Sequence, residues 1–246
     1  MLKIAILNNS GNVGKTTICD NIFRQRIPNS EIIKVETINH DDTSDEKISA
    51  KDIGIVLNKI AMCDNAIIDV GASNIEALMH GLKQMDGAHE DIDYFFVPTT
   101  PNHKQQKDTI KTISNLIDLD VEAERIKLIF NMHDSDYTLE QQYSVIFESS
   151  IASALKIKTP ENQFIIDESP IFVLLGKNES TFQEALNDQN DYRTLIRSTQ
   201  DKEERMNLSS KRTVQKMAQK FDQRLNDTFQ KIATTCQFEL EEIQHV

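Results

Sequence analysis

Two periodicities organise the chain. Runs such as Ile4-Ala5-Ile6-Leu7, Ala66-Ile67-Ile68 and Leu128-Ile129-Phe130 are short and continuously apolar, as in strands covered on both faces. Between them apolar residues recur every three or four positions: Ile53, Val56, Leu57 and Ile60, then Ile110, Ile113 and Leu116. Such segments are helices that lay one face on a sheet. The pattern predicts strands over residues 3–8, 31–39, 65–70, 94–98 and 127–130, and helices over 15–26, 50–62, 74–85, 104–116 and 138–155. Shorter apolar segments follow at 163–166 and 171–175, with a helix near 181–187. Residues 41–47 are polar and charged and read as a loop. This alternation implies an α/β fold, a mostly parallel central sheet with helices on both faces, whose ligands bind beyond the carboxyl ends of the strands. Asn9, Asn39, Asp69, Thr99 and Asn131 fall at such ends, along one rim.

After Asp191 the period changes. Val214, Met217, Phe221, Leu225, Ile232, Cys236 and Leu240 recur at helical spacing without Gly or Pro, and Phe229 and Ile243 broaden the stripe. This predicts one long amphipathic helix, or two, and divides the chain into an α/β domain over 1–190 and a C-terminal helical extension over 191–246. Beside the apolar stripe Arg212, Lys216, Lys220 and Arg224 stand four apart, on a common face.

The chemistry is concentrated at the first strand. Asn9-Ser10-Gly11-Asn12-Val13-Gly14-Lys15-Thr16-Thr17 lies between a strand and a helix, the order that a nucleoside-triphosphate site requires. In such a loop successive backbone N–H groups curl around the β-phosphate, and the next helix offers its positive end. Gly11 and Gly14 allow the curl, Lys15 reaches the β- and γ-phosphates, Thr16 holds Mg²⁺, and Thr17 lies near the α-phosphate. The usual pattern begins with Gly where this chain has Asn9. Asp69, ending a buried strand, supplies the second element: an acid that polarises a water in the Mg²⁺ shell. Gly71 then lets the backbone approach the γ-phosphate.

Composition narrows the setting. The net charge of −12 argues against a protein that coats nucleic acid with its whole surface. A local basic face is compatible with it, since residues 205–231 carry seven basic side chains against two acidic ones. Cys19, Cys63 and Cys236 are scattered and read as buried thiols of a reducing compartment, and the six histidines form no zinc pattern. No apolar run is long enough to span a membrane, and Met1-Leu2-Lys3 leads straight into a strand, so the expected location is the cytoplasm.

Ser10-Gly11-Asn12-Val13-Gly14-Lys15-Thr16-Thr17 resembles the deviant phosphate loop of the ParA/MinD ATPases, usually Lys-Gly-Gly-Val-Gly-Lys-Thr-Thr. The acid-ended strand at Asp69, the strand Tyr94-Phe95-Phe96-Val97-Pro98 with its polar end, and Leu128-Ile129-Phe130-Asn131 extend the likeness over roughly residues 1–190. The resemblance implies ATP and Mg²⁺ as cofactors, slow hydrolysis to ADP, and a homodimer formed only with nucleotide. It also implies a role in plasmid partition or stability with a plasmid-encoded DNA-binding adaptor, and contact of Asn131 with the purine. Non-specific DNA would bind the stripe Arg212, Lys216, Lys220 and Arg224. Two departures stand out. Ser10 replaces the signature Lys that crosses to the opposite subunit, and the second strand has Glu36 at its first acid position but Ile38 at the second, whose acid helps orient the attacking water, so that Asp41, Asp42 or Asp45 of the following loop would replace the missing acid. Met132 replaces the Lys of the guanine motif in Asn131-Met132-His133-Asp134, which favours adenine. Alternatives on the same fold are a nucleotide-binding scaffold without turnover and a small-molecule kinase or ligase.

Overall fold

The computed structural model describes residues 1–36, 47–48 and 52–239, with backbone alone at 47–48. Seven strands form one sheet: β1 (Leu2–Ile6), β2 (Ser30–Val35), β3 (Lys47–Ile48), β4 (Asn65–Val70), β5 (Tyr94–Thr99), β6 (Ile126–His133) and β7 (Phe164–Asp167). Their order is β3-β2-β4-β1-β5-β6-β7, and every pairing is parallel. All five residues of β1 are buried, as are the last five of β4 and of β5, because helices cover both faces of a parallel sheet. Ile6 stands beside Asp69 on one side and Phe96 on the other, so the turn leaving β1 opens between the ends of β4 and β5.

The helices are α1 (Lys15–Ile18), which continues as a π-helical turn over Cys19–Phe23, α2 (Ile53–Met62), α3 (Ile75–Gln84), α4 (His103–Ile117), α5 (Leu139–Gln142), α6 (Ser144–Phe147), α7 (Ser150–Ala154), α8 (Ile171–Lys177), α9 (Phe182–Asn187), α10 (Tyr192–Ser198) and α11 (Lys202–Thr235). Local chemistry sets their starts. Asn102 accepts from the N–H groups of Lys104 and Gln105 to cap α4, and Thr138 and Thr181 form capping boxes with Gln141 and Glu184.

The single helix expected over 138–155 is instead the run α5, α6 and α7. It breaks at the fully buried Tyr143, whose φ of −114° and ψ of 36° are not helical. Residues 164–166 of the first short segment lie in β7, whereas 171–175 lies in α8: Ile171 and Leu175, one turn apart, are buried while Phe172 and Val173 are exposed. A short apolar run does not separate a buried strand from a helix, and Pro170 at the N-cap already has helical torsions.

The described residues form two compact units, one holding those of 1–167 together with 229–239, the other Glu168–Thr228. In the first, the end of α11 seats Phe229 against Phe23, with ring centroids 6.4 Å apart, and the Tyr94 hydroxyl donates to the Cys236 carbonyl at 2.6 Å. In the second, Phe172, Phe182 and Phe221 form a mutual aromatic cluster with centroids 5.7 to 6.1 Å apart.

Candidate functional site

The loop between β1 and α1 is organised around Asn8, which is fully buried. Its amide nitrogen donates to the Pro98 carbonyl on β5 and to Thr109 Oγ1 on α4, each at 2.7 Å, and its Oδ1 accepts from the Ser10 N–H at 2.7 Å. The Asn9 N–H donates to Thr112 Oγ1 at 3.0 Å. The loop is thereby fastened to the strand and helix next to it before any ligand enters. Lys15, only 9% exposed, folds back under the turn and donates to the carbonyls of Ser10 at 2.8 Å and Asn8 at 3.1 Å.

Asn12 and Gly14 take positive φ values of 58° and 86°. Gly14 is doubly required, because a Cβ there would also lie 2.4 Å from Asn131 Nδ2. A Cβ on Gly11 would meet nothing within 4 Å, so the steric demand falls on Gly14. Gly71 has an ordinary φ of −58°, and its N–H donates to the Val35 carbonyl at 3.0 Å, joining the ends of β4 and β2. Thr16 and Thr17 are exposed in the first turn of α1, and the Thr16 hydroxyl donates to Asp69 Oδ2 at 2.7 Å.

The electrostatics follow from burial. Desolvation lowers the pKa of Lys15, opposed by the nearby Asp69. Desolvation raises that of Asp69, opposed by the Thr16 hydrogen bond and by Lys15. Each charge is costly alone and supported by the other. A hydroxyl and a carboxylate 2.7 Å apart make a hard-oxygen pair that fits Mg²⁺, which takes few protein ligands beside phosphate oxygens. The fit for a polyphosphate rests on the left-handed turn, the exposed N-terminal turn of α1 and the ammonium of Lys15.

Asn131 also reaches this loop. Its Nδ2 donates to the Val13 carbonyl at 2.9 Å, and its own carbonyl accepts from the Tyr143 hydroxyl at 2.9 Å. The residue expected to meet a base therefore braces the phosphate loop. Beyond it a bulge between Asn131 and His133, with Met132 at φ 60°, turns the chain out of β6. Asp134 Oδ1 accepts from the Asp136 N–H, and His133 lies 3.3 Å from Asp167 at the end of β7.

Ser10, Gly11, Asn12, Val13, Gly14, Lys15, Thr16, Thr17, Asp69 and Asn131 thus surround one turn at the rim. Asp42, with Asn39, Asp41 and Asp45, lies outside the described residues. Arg212, Lys216, Lys220 and Arg224 are all exposed on α11 within the second unit, on a face apart from the buried Val214, Ala218, Phe221 and Leu225. Sequence reasoning missed Asn8, Thr109, Thr112, Gln105 and Tyr143. Gln105 donates from Nε2 to the Gly11 carbonyl at 3.0 Å. The available signal was polar: Gln106, Thr109 and Thr112 interrupt the inward face of α4 at helical spacing, and all three are buried.

Neither a protein-family model nor a curated protein matches the sequence. Solved structures do. A putative plasmid partition protein from Borrelia burgdorferi bound to AMPPNP aligns over 94% of this chain and 100% of its own, at 14% identity and a TM-score of 0.53. A chain of the MinC:MinD cell division protein complex of Aquifex aeolicus aligns over 92% of this chain and 96% of its own, at 14% identity and a TM-score of 0.50. The architecture is the P-loop fold of the ParA/MinD proteins, with a long C-terminal helix.

Proposed function

We propose that this chain is a ParA-like nucleotide switch that binds ATP with Mg²⁺, dimerises in the bound state, hydrolyses ATP slowly and acts in plasmid maintenance with a DNA-binding adaptor. The observation that carries the reading is the joint placement of Lys15 under a left-handed turn and of Thr16 against Asp69. Lys15 would exchange its carbonyl partners for phosphate oxygens, and Thr16 and Asp69 would hold the metal, Asp69 through water. Bound metal would draw charge from the phosphates. The γ-phosphate would order segments near residues 39–45 and 71–74 into a dimer face. The stripe Arg212, Lys216, Lys220 and Arg224 would meet DNA phosphates.

The plasmid assignment rests on the fold shared with the AMPPNP-bound partition protein and on the loop Asn8-Asn9-Ser10-Gly11-Asn12-Val13-Gly14-Lys15-Thr16-Thr17, which is similar to that of the plasmid-stability protein StbB. Ser10 favours a second reading, a scaffold that holds nucleotide without turnover, because its hydroxyl brings no positive charge to a transition state. Titration with a fluorescent ATP analogue tests the common core of both. Lys15→Ala should weaken binding roughly 10- to 100-fold, the value of a charge-assisted contact. Equal binding by wild type and variant, or none by wild type at millimolar nucleotide, would count against the site. Steady-state phosphate release with DNA and adaptor present then separates switch from scaffold.

A further inference from the structure

Asn9 stands where the usual phosphate loop has Gly, so this chain carries a side chain at a position that ordinarily has none. Among the described residues its Nδ2 is the one buried side-chain nitrogen or oxygen atom without a hydrogen-bond partner. An amide donor shut off from water with its hydrogens unused is costly, and nearly all such groups in folded proteins are paired. The donors around it are committed. Both hydrogens of the Asn8 amide go to Pro98 and Thr109, the Asn9 N–H goes to Thr112, and the Ser10 N–H goes to Asn8 Oδ1. The carbonyls of Asn8 and Ser10, on either side of Asn9, both accept from the Lys15 ammonium. The orphaned amide thus belongs to the residue whose two neighbours hold the cation of the phosphate site.

We infer that Asn9 Nδ2 is a donor to the γ-phosphate of bound nucleotide, so that this residue sets the preference for ATP over ADP. The inference rests on the nucleotide site proposed above and adds a group to it. With the α-phosphate near Thr17 and the β-phosphate in the turn that precedes α1, the phosphates run back toward the start of the loop, and the terminal one would come to residues 9 and 10. Lys15, released from the carbonyls of Asn8 and Ser10, would meet that same phosphate. Its several oxygens can accept from both groups, whereas a diphosphate lacks it. Ser10 brings no charge to this end of the loop, and Asn9 supplies a neutral donor there. The empty loop keeps that donor unpaired, and the triphosphate pairs it.

The test is calorimetric titration of the full chain, as wild type, Asn9→Ala and Asn9→Asp, with Mg²⁺-AMPPNP and with Mg²⁺-ADP, together with the thermal midpoint of each empty protein. Asn9→Ala should weaken AMPPNP about tenfold or more and leave ADP within about twofold. Asn9→Asp keeps the shape but turns a carboxylate toward the phosphate, so it should weaken AMPPNP further and again spare ADP. In the empty protein Asn9→Ala removes an unpaired buried donor, and its midpoint should equal or exceed that of wild type. A loss shared equally by both nucleotides, or no loss, would overturn the inference, and a lowered midpoint alongside would mark the amide as a structural donor to buried water. Wild type that binds neither nucleotide would overturn the phosphate site as well.

Discussion

Replacing Asn131 by Ala probes the link between the strand rim and the phosphate loop. The Asn131 side chain is 7% exposed and Val13 is fully buried, so losing their 2.9 Å hydrogen bond leaves the Val13 carbonyl unpaired away from water. That costs about 1–2 kcal/mol in the positioning of the loop, or roughly 5- to 30-fold in nucleotide affinity. The close approach to Gly14 makes the prediction sharper. In Gly14→Ala the new Cβ would meet Asn131 Nδ2 at 2.4 Å and also carry the strain of φ 86°. In the double variant the contact is gone and only the strain remains, about 1 kcal/mol. A double-mutant cycle on ATP affinity should therefore be sub-additive by about 1 kcal/mol or more. Because the brace acts on the phosphates, Asn131→Ala should weaken ATP and GTP alike. Additive single effects, or a loss confined to ATP, would refute the brace and assign Asn131 to the base.

Three further expectations concern other residues. Asp69 binds its proton more tightly folded than unfolded, so wild-type stability should fall as pH rises from the ordinary carboxyl value of 3.8 through the raised folded one; Asp69→Asn should lack that slope in urea midpoints measured between pH 3.5 and 6.5, and parallel curves would contradict it. If the α11 stripe holds DNA, binding should weaken steeply with salt and be abolished by Lys216→Glu with Lys220→Glu; retention by that double variant in a gel-shift assay would remove the stripe from the mechanism. Asp42→Ala should lose phosphate release while keeping ATP affinity if that acid replaces the missing one of the second strand, and unchanged turnover would exclude the replacement.

The fold was legible because parallel strands are buried on both faces and write themselves as apolar runs: β4 has its expected bounds, and β1 and β5 differ from theirs by a residue or two. Lys15, Thr16 and Asp69 were legible because a phosphate loop uses consecutive residues and its acid ends a strand. Asn8 and Tyr143 were not, since their roles depend on partners in other elements, Thr109 on α4 and Asn131 on β6. Tyr143 also shows why local periodicity failed over 138–155, where a tertiary hydrogen bond and burial of one ring outweigh helix continuation. In α8 the apolar content was read and the period was not, because five residues hold barely more than one helical turn.

The central claim, a nucleotide-gated switch, is tested most directly by the mass of the full chain in solution, measured by light scattering without nucleotide, with Mg²⁺-ADP and with Mg²⁺-ATP. The account predicts a dimer with Mg²⁺-ATP alone, and a monomer in all three conditions for Lys15→Ala. One mass for wild type in every condition would contradict it.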